Sequence, residues 1–186
     1  MGTRITDDTR LSDAALAAEL DRLGIAFVAF SAEDRPYPPP APDTLVASLA
    51  MSGEARLRMA LIPLFLALPD YACSATRVAD VLSGQGRVTL ICYYTASMLL
   101  QRKYARRLVR LGVDHAPLPD RFGPELALPP SDDVDFTLAR LAERHAELSD
   151  RPLNWHGTYE QAAKRFIQRL EWEAKQAVSF CFAGGL

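Results

Sequence analysis

Apolar residues recur along this chain at steps of three and four, the spacing of amphipathic helices rather than of alternating strands. A first helix is expected from Ser12, as N-cap, to Leu23, with Gly24 as a left-handed stop and a staple between Leu11 and Leu16. Ile25 to Phe30 is a short apolar stretch without a second strand to pair with, so it is read as an extended segment packed on helices. The run Arg35-Pro36-Tyr37-Pro38-Pro39-Pro40-Ala41-Pro42 lacks the backbone donors and torsional freedom of a helix and reads as a stiff linker.

After the linker, Leu45, Leu49, Leu57, Ala60, Leu61, Leu64 and Leu68 keep helical spacing through two segments, Asp43–Met51 and Glu54–Leu68, separated by Ser52-Gly53. Two short antiparallel helices of this kind form one HEAT-type unit, and Pro63 should kink the second. A short helix over Ala75–Leu82 follows, closed by Ser83-Gly84-Gln85-Gly86. The longest is predicted over Arg87–Leu111, ended by Gly112, with Leu90, Tyr93, Ser97, Leu100, Tyr104, Leu108 and Leu111 as its buried stripe. His115–Pro130 is a proline-punctuated loop. Asp132–Leu148 forms a further helix with Phe136, Leu138, Leu141 and Leu148 inward and Asp132, Asp133 and Asp135 at its positive dipole end. Thr158-Tyr159-Glu160-Gln161 is a capping box opening a last helix to about Phe180, with Tyr159, Ala163, Phe166, Leu170, Ala174 and Ala177 along one face. The expected fold is therefore all-α, a multi-helix bundle with HEAT-like antiparallel pairs. It divides into a small N-terminal lobe (1–35), the linker (36–42) and a main helical domain (43–186).

Composition adds limits rather than a function. The length of 186 residues suits one domain, and 49% hydrophobic residues suffice for a core. A net charge of -2 gives no strong overall field for nucleic acid or anionic lipid, so such contacts would need a local patch. Of the 21 basic residues, all but Lys103, Lys164 and Lys175 are arginine, a balance typical of a GC-rich bacterial genome. Cys73, Cys92 and Cys181 are odd in number and far apart, which suggests neither disulfides nor a zinc site, and Cys92 reads as a core residue. The N-terminus lacks the apolar stretch of a signal peptide, although Gly2 and Thr6 fit a myristoylation pattern. The longest apolar run, Met59 to Leu68, is shorter than a bilayer span. A soluble, cytoplasmic chain is expected.

Three constellations are candidates for chemistry. Arg110 precedes His115 by five positions, Arg140 precedes His145 likewise, and Arg151 precedes His156. This spacing resembles the motif of HEPN-type ribonucleases, in which Arg positions phosphate and His serves in acid–base cleavage without a metal. Leu111, Leu141 and Pro152 stand where that family has a polar residue, and an i, i+5 offset does not share one helix face. The second is the basic face Arg102, Lys103, Arg106, Arg107 and Arg110, beside Tyr93, Tyr94 and Tyr104. It reads as a solvated helix face or as a surface for an acidic protein or RNA. The third, Asn154-Trp155-His156-Gly157-Thr158-Tyr159-Glu160, reads equally as an interface hot spot and as a loop pinned by a buried Trp. Gly84-Gln85-Gly86 lacks the further glycine and flanking strand of a phosphate loop, no spacing resembles a metal site, and no cofactor motif occurs.

Ala55-Arg56-Leu57-Arg58-Met59-Ala60-Leu61-Ile62-Pro63-Leu64, Tyr93-Tyr94-Thr95-Ala96 with Leu100-Gln101, and Asn154-Trp155 with Gly157-Thr158-Tyr159-Glu160 together resemble a group of small helical bacterial proteins. That group is encoded beside minimal nucleotidyltransferases in toxin–antitoxin-like pairs, and the likeness runs from Asp43 through the last helix. It implies a non-catalytic protein-interaction module that binds and regulates a companion protein such as a nucleotidyltransferase. The expected contacts are Arg102, Arg106, Arg107, Arg110, Asn154, Trp155, Tyr159 and Phe182. The alternatives are the HEPN-like ribonuclease using Arg110 with His115 or Arg140 with His145, and a nucleic-acid-binding accessory acting through the basic helix.

Overall fold

A computed structural model describes residues 10–25, 38–113 and 116–183, with side chains as far as 177. Among them are eight α-helices and no strand: α1 Asp13–Arg22, α2 Pro42–Met51, α3 Ala55–Met59, α4 Leu61–Ala67, α5 Ala72–Val81, α6 Gly84–Arg110, α7 Val134–Ser149 and α8 Trp155–Ala183. Of the extended segment expected over Ile25–Phe30 only Ile25, which is buried, is among the described residues, and the proline run is described from Pro38 onward; His115 and the side chain of Phe182 lie outside them.

The predicted boundaries of α1 have a direct cause in the backbone. The Ser12 hydroxyl accepts from the Ala15 N–H, and Gly24 adopts a φ of +75°. That left-handed residue lets the Ile25 N–H reach back to the Leu20 carbonyl at 2.7 Å, covering a carbonyl the helix leaves bare. Gly112 repeats the device after α6, with a φ of +79° and the Val113 N–H on the Leu108 carbonyl. α1 buries Leu16 and Leu20 in the same core as α2 to α8, and Ser52 donates to Asp13 across the α1–α2 contact.

Pro63 breaks the second predicted helix outright instead of kinking it. Proline has no N–H and its ring crowds the carbonyl four residues back, that of Met59, so the chain turns at Ala60 between α3 and α4. Pro63 then occupies the first turn of α4, where an N–H would have no partner. Pro69 stops α4 by restricting the residue before it, and Leu68 stands outside the helical region at φ -133° and ψ 73°.

α6 is the axis of the bundle and packs against α2, α4, α5, α7 and α8. The expected single stripe is incomplete: all twelve consecutive residues from Thr89 to Leu100 are buried, so the middle of this helix is enclosed on every side. Its polar groups are satisfied locally, Thr95 donating to the Ile91 carbonyl and Ser97 to that of Tyr93. Tyr94 packs edge-on to Phe65 and Phe122 and donates to the Pro119 carbonyl, which pins the 116–130 loop to the helix.

Two further expectations are corrected. Phe136 is 49% exposed, because the inward face of α7 steps through Thr137, Leu138, Leu141, His145 and Ser149 instead. α8 begins three residues before the predicted box. The Asn154 carboxamide oxygen accepts from the Gly157 N–H at 2.8 Å, so Asn154 is the cap and Thr158 lies inside the first turn.

Candidate functional site

The start of α8 delivers the richest side-chain cluster to the base of the bundle. Gly157 is what allows the Asn154 cap, since a Cβ there would stand 2.8 Å from the Asn154 side-chain nitrogen. Starting the helix at Trp155 puts Trp155 and Tyr159 on one face, four residues apart, and turns that face inward. There they meet His145 of α7 and Tyr93 of α6. The His145 ring stacks on Trp155 with centroids 3.7 Å apart, and Tyr93 stands edge-on to His145, Trp155 and Tyr159.

His145 is 1% exposed and its Nδ1 lies 2.6 Å from the Tyr159 hydroxyl. Burial, assisted by the positive charge of Arg58, pushes the imidazole pKa down to about 3, so the ring is neutral at physiological pH. Burial likewise holds the Tyr159 phenol well above its ordinary range.

This geometry separates the pairs that sequence spacing had joined. Arg140 is on the solvent side of α7, in an ion pair with Glu143, while His145 is on the core side. Arg151 is exposed in the α7–α8 connection and His156 is half-buried on α8. His115 lies outside the described residues, so the partner expected for Arg110 is not placed.

The residues expected to contact a partner divide into two sets. Tyr159 is fully buried and Trp155 is 7% exposed, so both belong to the core and neither presents a surface, while Asn154 serves as the cap of α8. On α6, Arg102, Arg106 and Arg110 are exposed with no carboxylate partner among the described residues. Arg107 instead grips Glu171 of α8 with two hydrogen bonds of 2.6 and 2.9 Å, and Lys103 turns toward α7 and α8. The basic face is thus half structural.

Sequence spacing missed the polar hub that Lys103 enters. Its ammonium donates to Glu160 at 2.6 Å and to Asp135, while the Tyr104 hydroxyl donates to the other Glu160 oxygen at 2.6 Å and Lys164 stands 3.2 Å away. Burial alone would raise the Glu160 pKa, but the donors from Lys103, Tyr104 and Lys164 outweigh it and hold the carboxyl below its ordinary value. Ligand atoms of Asp135, His156 and Glu160 also come within 4.8 Å of one another. The Lys103 ammonium already supplies the positive charge there, bonded to both carboxylates. These residues come from three helices, so no linear spacing could announce them.

Two recesses flank these clusters. A groove of about 710 Å³ runs between α6 and the proline loop, lined by Met98, Leu99, Arg102, Asp120, Pro129 and Thr137 among others. A smaller cavity of about 230 Å³ lies beside His145 and Trp155, walled by Arg58, Gln85, Ser149 and Arg151. No family model matches this chain, and no curated protein or solved structure is significantly similar to it.

Proposed function

We propose that this chain is a non-catalytic protein-interaction module that binds and regulates a companion protein, with a nucleotidyltransferase in a toxin–antitoxin-like pair as the leading candidate. The supporting observation is the overhang of α8. Its first half is core, through Tyr159, Ala163 and Phe166, yet from Trp172 to Ala177 every side chain is exposed. Trp172 is 62% exposed, and Ala174 and Ala177, which the spacing assigned to a buried face, have nothing packed on them in the described part of the chain.

Exposed tryptophan and unpaired arginine are the residue types that carry most binding energy at protein interfaces. They lie at one end of this molecule. Arg106 and Arg110 bracket Arg107, whose partner Glu171 immediately precedes Trp172. A companion offering an apolar recess edged with carboxylates would fit this end.

The reading is tested by co-expression with the product of the adjacent gene, affinity capture and size-exclusion chromatography. A stoichiometric complex is expected, weakened at least tenfold by Trp172→Ala and by Arg106→Glu combined with Arg110→Glu. A chain that ignores its neighbour, or a complex unchanged by these variants, overturns it. Capture of RNA with a steep salt dependence would favour the nucleic-acid alternative instead.

A further inference from the structure

We infer that the cavity between α2, α3, α6 and the α7–α8 connection is a binding site for a phosphate-sized oxyanion, either the free ion or a phosphoryl group on a small carrier. This site is separate from the proposed protein-binding end, and its wall carries the inference. Arg58, Arg151, Gln85, His145, Ser52, Ser149 and Thr89 supply its polar groups, and none of its lining residues is a carboxylate. In a chain with 23 acidic residues against 21 basic ones, a recess holding two guanidiniums and no acid is a strong local bias.

Ser52 donates to Asp13, Ser149 to the His145 carbonyl and Gln85 to the Leu148 carbonyl, so the two guanidiniums are the donors left for a ligand. Arg58 is anchored through one terminal nitrogen, which donates to the Ser52 and Gly53 carbonyls at 2.6 and 2.8 Å. Its remaining N–H groups have no acceptor among the described residues, and neither Arg58 nor Arg151 has a carboxylate partner there. His145, whose Nδ1 is engaged by the Tyr159 hydroxyl, adds its ring to the wall. Gln85 and Gly86 bring in the first turn of the 27-residue helix α6, and the Ser83 side chain caps none of its free N–H groups. The positive end of that helix therefore adds to the two guanidiniums. Gly84-Gln85-Gly86, set aside as a phosphate loop on sequence grounds, contributes here through its place at a helix start and not through a glycine pattern.

The volume of about 230 Å³ admits a phosphate with its first waters, or a phosphomonoester with a short carrier. Trp155 lines the same cavity and offers an optical report of occupancy. In a Trp172→Phe background the Trp155 fluorescence of the full chain is titrated with inorganic phosphate and with a phosphomonoester, at ionic strength held constant by chloride.

A saturable change is expected with phosphate or the monoester and none with chloride alone. Arg151→Glu, an exposed position whose reversal spares the core, should weaken binding at least tenfold, and Arg58→Gln should do the same. Should Arg58→Gln fail to fold, Arg151→Glu decides alone. A monoester binding tighter than phosphate assigns the site to a carried phosphoryl group, and equal binding assigns it to the free ion. No saturable change, or one that survives Arg151→Glu, overturns the inference.

Discussion

The Tyr159 hydroxyl lies 2.6 Å from Nδ1 of His145, and both side chains are sealed from solvent in the contact between α7 and α8. An imidazole held neutral in this way ties stability to pH. The folded ring titrates near 3 and the unfolded one near 6.5, so between those values the unfolded chain binds the extra proton. Stability from this group is complete above pH 6.5 and falls by about 1.4 kcal/mol per unit as pH drops below it. Urea titrations at pH 5.0 and 6.5 should differ by about 2 kcal/mol in the natural chain, and His145→Asn should flatten that difference. A variant as acid-sensitive as the parent would show that the slope has another source.

Tyr159→Phe removes the hydroxyl without changing the ring. Nδ1 of His145 is then a buried polar atom without a partner, which costs about 1–3 kcal/mol. Chemical denaturation should detect that loss while far-UV circular dichroism stays helical. An unchanged midpoint would mean that water replaces the hydroxyl.

Glu160 ties α8 to α6 through Lys103 and Tyr104 and pairs with Lys164 on its own helix. Glu160→Ala removes the acceptor of all three and leaves Lys103 with Asp135, whose side chain is 65% exposed. A destabilisation of about 1–3 kcal/mol is expected, larger than for Lys164→Ala, whose 54% exposed ammonium is screened by solvent. Equal effects from the two variants would argue against the hub.

Cys92 and Cys73 should differ sharply in reactivity. Burial pushes the Cys92 thiol up to about 12, whereas Cys73 is exposed. Since the thiolate is the reactive form, native alkylation followed by peptide mass spectrometry should label Cys73 and spare Cys92 until the chain is unfolded. Prompt labelling of Cys92 in the native state would show that α6 opens readily.

Gly112→Ala isolates a backbone effect, because a Cβ at Gly112 would meet nothing within 4 Å. The cost is confined to the positive φ of the helix stop, about 1 kcal/mol, and Gly112→Asn should cost less because asparagine tolerates that region. A loss far above this, measured by thermal unfolding, would point to a packing role for the glycine.

Legibility in the sequence followed the range of the interaction. Ser12, Gly24 and Gly112 mark helix ends by contacts within five residues, and such ends could be read directly. Pro63 was also legible as a disruption, since its clash is with its own chain four residues back. Asn154 and Gly157 were a readable cap as well, obscured by the Thr158-Tyr159-Glu160-Gln161 pattern that followed them. What failed was the reading of faces: Phe136 on α7 and Ala174 and Ala177 on α8 keep helical spacing yet stay exposed. Periodicity names a face but not what covers it.

The sequence by itself determined the helical class and most of the helix boundaries, because capping, proline exclusion and 3.6-residue spacing act between near neighbours. Tertiary structure alone decided the rest. It enclosed α6 on all sides, set His145 against Tyr159, turned Lys103 from a surface cation into the centre of a hub, and left a cavity walled by Arg58 and Arg151 without an acid. Each of these depends on side chains from separate helices meeting in space, and the burial that shifts their charges exists only after the helices have packed.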